Sequence, residues 1–99
     1  MKLEKDLQAQ ILDHLAHKRV FCWRSNTGAM KKGKHFVRFG VKGVPDILGC
    51  YKGRMLGIEC KADFKEQSQA QHQFQVDLEA AGGLYILCYS LEDVLKVIR

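Results

Sequence analysis

Residues 46–51 (DILGCY) and residues 55–62 (MLGIECKA) carry the clearest structural signal in the chain, together with the short connection KGR at residues 52–54. Both flanking runs are rich in aliphatic and aromatic residues, which favour β-strands. A connection that contains glycine and is only a few residues long is typical of a tight turn between antiparallel strands. The sequence therefore predicts a β-hairpin in the middle of the chain.

The length of the hairpin turn decides where two carboxylates lie. A two-residue turn at Lys52-Gly53 places Asp46 directly opposite Glu59, with their β-carbons about 4.5–5.5 Å apart. Lys61 then shares their face, because side chains alternate along a strand. A turn one residue longer moves Asp46 to the other face, where it would only begin a turn and leave Glu59 and Lys61 as a solvent-facing pair. Since facing carboxylates repel unless a cation lies between them, the first register indicates a metal site.

The remaining sequence alternates helix-like and strand-like stretches. In chain order we expect a helix over 3–17, a strand over 19–24, a loop over 25–34, a short strand over 35–39, the hairpin, a helix over 67–81, a strand over 84–89 at the centre of the sheet, and a last helix capped by Ser90. The order αβ(β)ββαβα predicts one α/β domain over residues 1–99, with a mixed β-sheet flanked by helices.

The charge of the 99-residue chain is unevenly distributed. The net charge is +5, but residues 18–61 alone contain eleven Lys and Arg and only two acids. Such a block is typical of a surface that binds a polyanion, most simply nucleic acid, although a plain solvated basic surface has the same composition. Trp23 could stack on a base or belong to the core. The residues expected to contact the phosphate backbone are Arg24, Lys31, Lys32, Lys34, Arg38 and Lys42.

Membrane insertion and secretion are not expected. No apolar run approaches the ~18 residues that a membrane span needs, and the charged first residues do not resemble a secretory signal. Four cysteines and four histidines raise the alternative of a zinc site, for example at His14 and His17. No C-x-x-C pair or finger-like spacing is present, so we expect reduced cysteines and no zinc.

Two polar residues fall on helix stripes that are otherwise apolar. Gln71 precedes Phe74 on the inward stripe of the second predicted helix, where it could hydrogen-bond a water or a carboxylate, or simply reach solvent at the helix end. Glu4 belongs to the stripe of the first helix that contains Ile11 and Leu15. Its carboxylate could point along the packed face, or it could favour the positive end of the helix dipole.

Four motifs in this order resemble a known family. They are GVPD at 43–46, IECK at 58–61, S-x-x-Q-x-x-F at 68–74 and GG at 82–83. Together they are similar to the VRR-NUC family of the PD-(D/E)XK nuclease superfamily, over nearly the whole chain. The resemblance implies a restriction-endonuclease-like core, metal-dependent hydrolysis of phosphodiester bonds, a preference for branched DNA such as Holliday junctions, and a homodimer. The stand-alone format implies a bacterial or phage-encoded protein of the cytoplasm.

The residues themselves suggest how such chemistry would be divided. Mg²⁺ or Mn²⁺ would bind Asp46, Glu59 and the backbone carbonyl of Cys60, since an all-oxygen set favours these ions over zinc. Glu4 would complete the site directly or through water. Lys61 would hold the attacking water or help deprotonate it, and would offset the charge that develops on the phosphate. Gln71 would orient the water or Lys61.

Two functions from other classes compete with this interpretation. A non-catalytic nucleic-acid-binding module would use the same basic segment 18–61 and would not need Asp46. A small zinc-stabilised interaction protein would need at least two cysteines among its metal ligands.

Overall fold

The computed structural model describes residues 3–25, 29–32, 35–38 and 41–99. Its helices and strands are, in chain order, α1 (Glu4–His17), β1 (Phe21–Arg24), β2 (Ala29–Lys32), β3 (His35–Arg38), β4 (Ile47–Tyr51), β5 (Arg54–Cys60), α2 (Gln69–Ala80), β6 (Leu84–Cys88) and α3 (Leu91–Leu95). Within these described ranges, no helix has the length and apolar character that crossing a membrane would require.

The main β-sheet has four strands in the order β1-β4-β5-β6, and it is mixed. β1, β4 and β5 are antiparallel neighbours, whereas β6 runs parallel to β5. The hairpin turn contains the two residues Lys52 and Gly53, both with positive φ, and pairs Tyr51 with Arg54. The predicted α/β class, the mixed sheet and the two-residue turn are therefore confirmed.

The hydrophobic core lies on one face of this sheet. Leu56, Ile58 and Cys60 of β5 point to that face and are fully buried. They pack with apolar residues of α1, β4, β6 and the C-terminal segment, which include Leu7, Ile11, Leu15, Ile47, Ile86, Val94 and Ile98. α2 packs against β6 on the other face, where Leu78 reaches Gly57 of β5. The carboxylates of Asp46 and Glu59 belong to this second face, because they alternate with the core residues.

The structure corrects the expected loop over 25–34. Residues 29–32 form β2 and pair with β3 in a separate antiparallel hairpin, in which Ala29 is opposite Arg38 and Lys32 is opposite His35. Strand pairing satisfies backbone hydrogen bonds whatever the side chains are. A two-stranded ribbon therefore forms here from a Gly- and Lys-rich stretch that lacks the apolar alternation of a core strand.

The expectation that the strand over 84–89 is central is also wrong. β6 ends at Cys88 and is an edge strand, paired only with β5 among the described strands. Tyr85, Ile86 and Cys88 are nonetheless buried, because α2 and α3 pack against β6. An edge strand covered by helices on both faces has the same apolar sequence as a central one.

Candidate active site

Asp46 lies directly before β4 and is held by the end of β5. Its Oδ2 atom accepts a hydrogen bond of 2.8 Å from the backbone N–H of Cys60. In the continued strand register Pro45 lies opposite Cys60, and a regular ladder bond would use a backbone carbonyl as the acceptor of this N–H. The side chain of Asp46 thus takes the place of a ladder partner at this strand end.

Glu59 lies opposite Asp46, one position beyond the pair formed by Ile47 and Ile58. Only 3% of its surface is exposed, and its Oε1 atom has no hydrogen-bond partner within the described part of the chain. Burial, a hydrogen bond with Asp46 and the charge of that residue together raise the pKa of Glu59 to about 9, and burial has the largest effect. Lys61 partly opposes this shift in pKa. Glu59 therefore holds a proton at neutral pH when no cation is bound.

Lys61 and Glu4 approach the same strand end from different directions. Lys61 directly follows β5 and is half-buried, and its N–H donates to the carbonyl of Cys88. Glu4 accepts a hydrogen bond of 2.8 Å from the N–H of Ala62, and its Oε2 atom lies 3.8 Å from Nζ of Lys65. The charge of Glu4 also raises the pKa of Glu59, so the two side chains are electrostatic neighbours. Its carboxylate is thereby tied to the backbone next to the pair.

The side chain of Gln71 makes a hydrogen bond at the start of α2 that its position on the inward stripe did not predict. Its side-chain oxygen accepts a hydrogen bond from the N–H of Ser68, and the Ser68 hydroxyl accepts one from the N–H of Gln71. This reciprocal arrangement is a capping box at the start of α2. The S-x-x-Q spacing alone could have indicated it, because that spacing is the sequence signature of such a cap.

Gly43 is a positioning residue that the site prediction did not include. It has φ +75°, and an added Cβ would lie 2.7 Å from the backbone nitrogen of Gln71 and even closer to the carbonyl of Ala70. The turn that leads to Asp46 therefore packs backbone against backbone on the first turn of α2. This contact connects the carboxylate strand end to the helix.

Replacing Gly43 with alanine should therefore destabilise the protein more than a positive φ alone explains. Gly53 is a matched control, since its φ is +79° and an added Cβ would meet nothing within 4 Å. Gly53→Ala should cost about 1 kcal/mol from the left-handed backbone, whereas Gly43→Ala should cost about 2–4 kcal/mol because backbone atoms must also move. Urea unfolding of both variants measures the difference, and equal losses would refute the packing role of Gly43.

The structure separates the predicted DNA-contacting residues. Arg24 is paired with Ile47 and so points to the core face, away from the carboxylates, and its Nε atom is buried without a hydrogen-bond partner among the described residues. Lys42 is exposed beside a groove of about 250 Å³ that Phe74 and Asp77 of α2 also line. Lys31 and Lys32 lie on β2 and Arg38 lies on β3, whereas Lys34 lies outside the described residues.

The cysteines are reduced, and the described side chains form no metal-binding cluster. All four cysteines are free thiols, and the buried Cys60 and Cys88 have their sulfur atoms 3.7 Å apart. Across the described ranges, no three His, Cys, Asp or Glu side chains are grouped closely enough to hold a metal ion. A cation at Asp46 and Glu59 would thus depend on backbone or water oxygen for its other ligands.

Comparison with models of known protein families finds no match for this chain. Comparison with curated proteins finds no significant similarity. The resemblance to the nuclease family accordingly depends on the motif residues alone.

Proposed function

We propose that this protein is a metal-dependent, structure-selective DNA endonuclease with a restriction-endonuclease-like core, which hydrolyses phosphodiester bonds as a homodimer. The observation that supports this most is the facing pair Asp46 and Glu59, with Glu59 buried and one of its oxygens unpartnered in the described structure. Burying the carboxyl group of Glu59 beside a second carboxyl group is unfavourable for folding, and such costs are concentrated at functional sites. Lys61 on the same face supplies a positive charge that would stabilise the negative charge developing on the phosphate.

The residues at this strand end fit a hard divalent cation such as Mg²⁺ or Mn²⁺. Asp46 and Glu59 would supply carboxylate oxygens, and a cation between them would replace the proton of Glu59. The carbonyl of Cys60 points to the same side as its N–H, toward Asp46, and Pro45 has no N–H to donate to it. That carbonyl is therefore suited to be the third oxygen ligand, and Glu4 would contribute through water because its carboxylate is already bonded to Ala62.

The side chains of the site divide the work of hydrolysis. When bound, the cation supplies Lewis-acid activation of the water and of the phosphodiester. The ammonium group of Lys61 would hold the attacking water in line with the phosphorus and offset the negative charge that develops on the phosphate. Gln71 would act as a positioning residue, because its capping box fixes the first turn of α2 against which Gly43 packs.

The charge of the chain supports DNA as the substrate. Residues 18–61, which contain both carboxylates, carry a balance of +9. A phosphate backbone would be drawn to this segment with a strong dependence on salt and little dependence on base sequence. A domain of this size has one such site, and symmetric cutting of a four-way junction needs two, so a two-fold dimer fits this substrate.

Incubation of the protein with matched four-way, flap and linear DNA tests the proposal. With Mn²⁺ or Mg²⁺ we expect cleavage of the branched substrates in preference to the linear duplex, and no cleavage in EDTA. Sedimentation of the protein on a four-way junction should give two chains per junction. Binding to DNA without cleavage of any substrate in either metal would contradict the enzyme and support a non-catalytic binding module.

A further inference from the structure

The sheet face that carries the carboxylates continues into a pair of exposed aromatic rings. Phe21 and Trp23 of β1 are 71% and 46% exposed, and their ring centroids are 5.3 Å apart. Trp23 is paired with Leu48, which lies two residues from Asp46 along β4. Diagonal neighbours of this kind have β-carbons roughly 7–8 Å apart, so the indole lies beside the carboxylate pair on the same face.

The covering helix stops short of these rings. α2 packs against β6, and its Leu78 reaches Gly57 of β5. Beyond that point Met55 is 46% exposed on the same face, and Cys50 of β4 lies between it and Phe21. Large apolar side chains are rarely left together in solvent without a partner. The aromatic platform, defined here as Phe21, Trp23 and Met55, therefore indicates a binding surface.

We infer that the aromatic platform stacks unpaired bases of the DNA strand whose phosphate enters the carboxylate site. Aromatic side chains stack on every base, whereas the bases of an intact duplex are already stacked on one another. The inference rests on the proposed nuclease function for its DNA partner, and it narrows the substrate class to DNA with unpaired nucleotides next to the cleaved bond.

Charge and size favour a nucleic acid over a second copy of the chain on this surface. The rings belong to the segment 18–61, whose overall balance is +9, so a phosphate backbone is attracted to this part of the chain, whereas a second copy would present a segment of the same net charge. A stable protein interface uses about 20–30 residues from each partner. The platform offers three exposed apolar side chains in the described structure, which suits one or two bases.

The platform can be tested by the fluorescence of Trp23, which is the only tryptophan of the chain. The full chain carrying Asp46→Asn, in EDTA, is titrated with a twelve-nucleotide oligo(dT) and separately with a hairpin duplex of similar length. We expect saturable quenching by the single strand and little quenching by the duplex. Phe21→Ser should weaken single-strand binding about tenfold, while Val97→Ser, an exposed apolar residue beyond α3, should leave it unchanged.

The outcomes separate this inference from the nuclease proposal. The platform would be overturned, and the nuclease left intact, if the unsubstituted protein cleaves DNA, Trp23 is not quenched by the single strand in Asp46→Asn, and gel-shift affinity for the single strand is unchanged in Phe21→Ser and Trp23→Leu. Quenching by the single strand, with no cleavage of any DNA by the unsubstituted protein in Mn²⁺, would support the platform and contradict the nuclease proposal. A concentration-dependent emission shift without DNA, with a dimer that Trp23→Leu dissociates, would assign the surface to a second copy and overturn the inference.

Discussion

Replacement of Asp46 by asparagine is expected to reduce Mn²⁺-dependent cleavage by about three orders of magnitude without unfolding the protein. Asparagine keeps a side-chain oxygen that can accept the hydrogen bond from the N–H of Cys60. It removes the negative charge that a divalent cation would bind, and it relieves the repulsion that raises the pKa of Glu59. The variant should therefore be at least as stable as the original chain while losing its activity.

Single-turnover cleavage of a four-way junction and urea unfolding measure the two effects of Asp46→Asn. Glu79→Gln, an exposed acid at the end of α2, is the charge-matched control and should retain full cleavage. Lys61→Met should also lower the cleavage rate about 10²–10³-fold, because it removes the positive ammonium group beside the two carboxylates. Cleavage within a few-fold of the original chain in Asp46→Asn would exclude Asp46 as a metal ligand.

The stability of the metal-free protein should fall as the pH rises, because of Glu59. Its pKa is raised from 4.5 to about 9 in the folded chain. Between these values the folded state holds a proton that the unfolded state has lost, so the contribution of Glu59 to the free energy of unfolding is fully present below pH 4.5 and is lost as the pH rises toward 9. The slope contributed by this one group is at most about 1.4 kcal/mol per pH unit. Glu59→Gln, which resembles the protonated carboxyl group, should remove this contribution.

Urea unfolding in EDTA at several pH values between 6 and 9 tests the role of Glu59. The difference in stability between Glu59→Gln and the original chain should grow steadily with pH in favour of the variant. Glu79→Gln should follow the original chain at every pH. Parallel profiles for Glu59→Gln and the original chain would show that Glu59 is ionised in the folded state throughout this range.

Most of the candidate site could be predicted from local sequence, and the reason lies in the hairpin. The two residues Lys52 and Gly53 adopt the positive φ values of a tight turn, so the register of the strands follows from counting outward from it. That count places Asp46 opposite Glu59. The loop predicted over residues 25–34 was wrong because the ladder of β2 and β3 does not depend on an apolar pattern.

Burial and long-range contacts could not be predicted in this way. The carboxylate of Glu4 meets the N–H of Ala62, which is 58 residues away in the chain. That contact depends on how α1 packs on the sheet, which a one-dimensional pattern does not contain. The capping role of Gln71 is local by contrast, and the S-x-x-Q spacing could have indicated it.

Strand alternation and turn chemistry are local, so the sequence alone is sufficient to place two acids and a lysine on one face of a hairpin. The properties that make those acids chemically unusual arise only when the chain is folded. Packing excludes water from Glu59, which is 3% exposed, while α2 leaves Trp23 and Phe21 in solvent on the same face. The pKa of a carboxyl group and the accessibility of a ring depend on everything that surrounds them, and those neighbours come from distant parts of the chain.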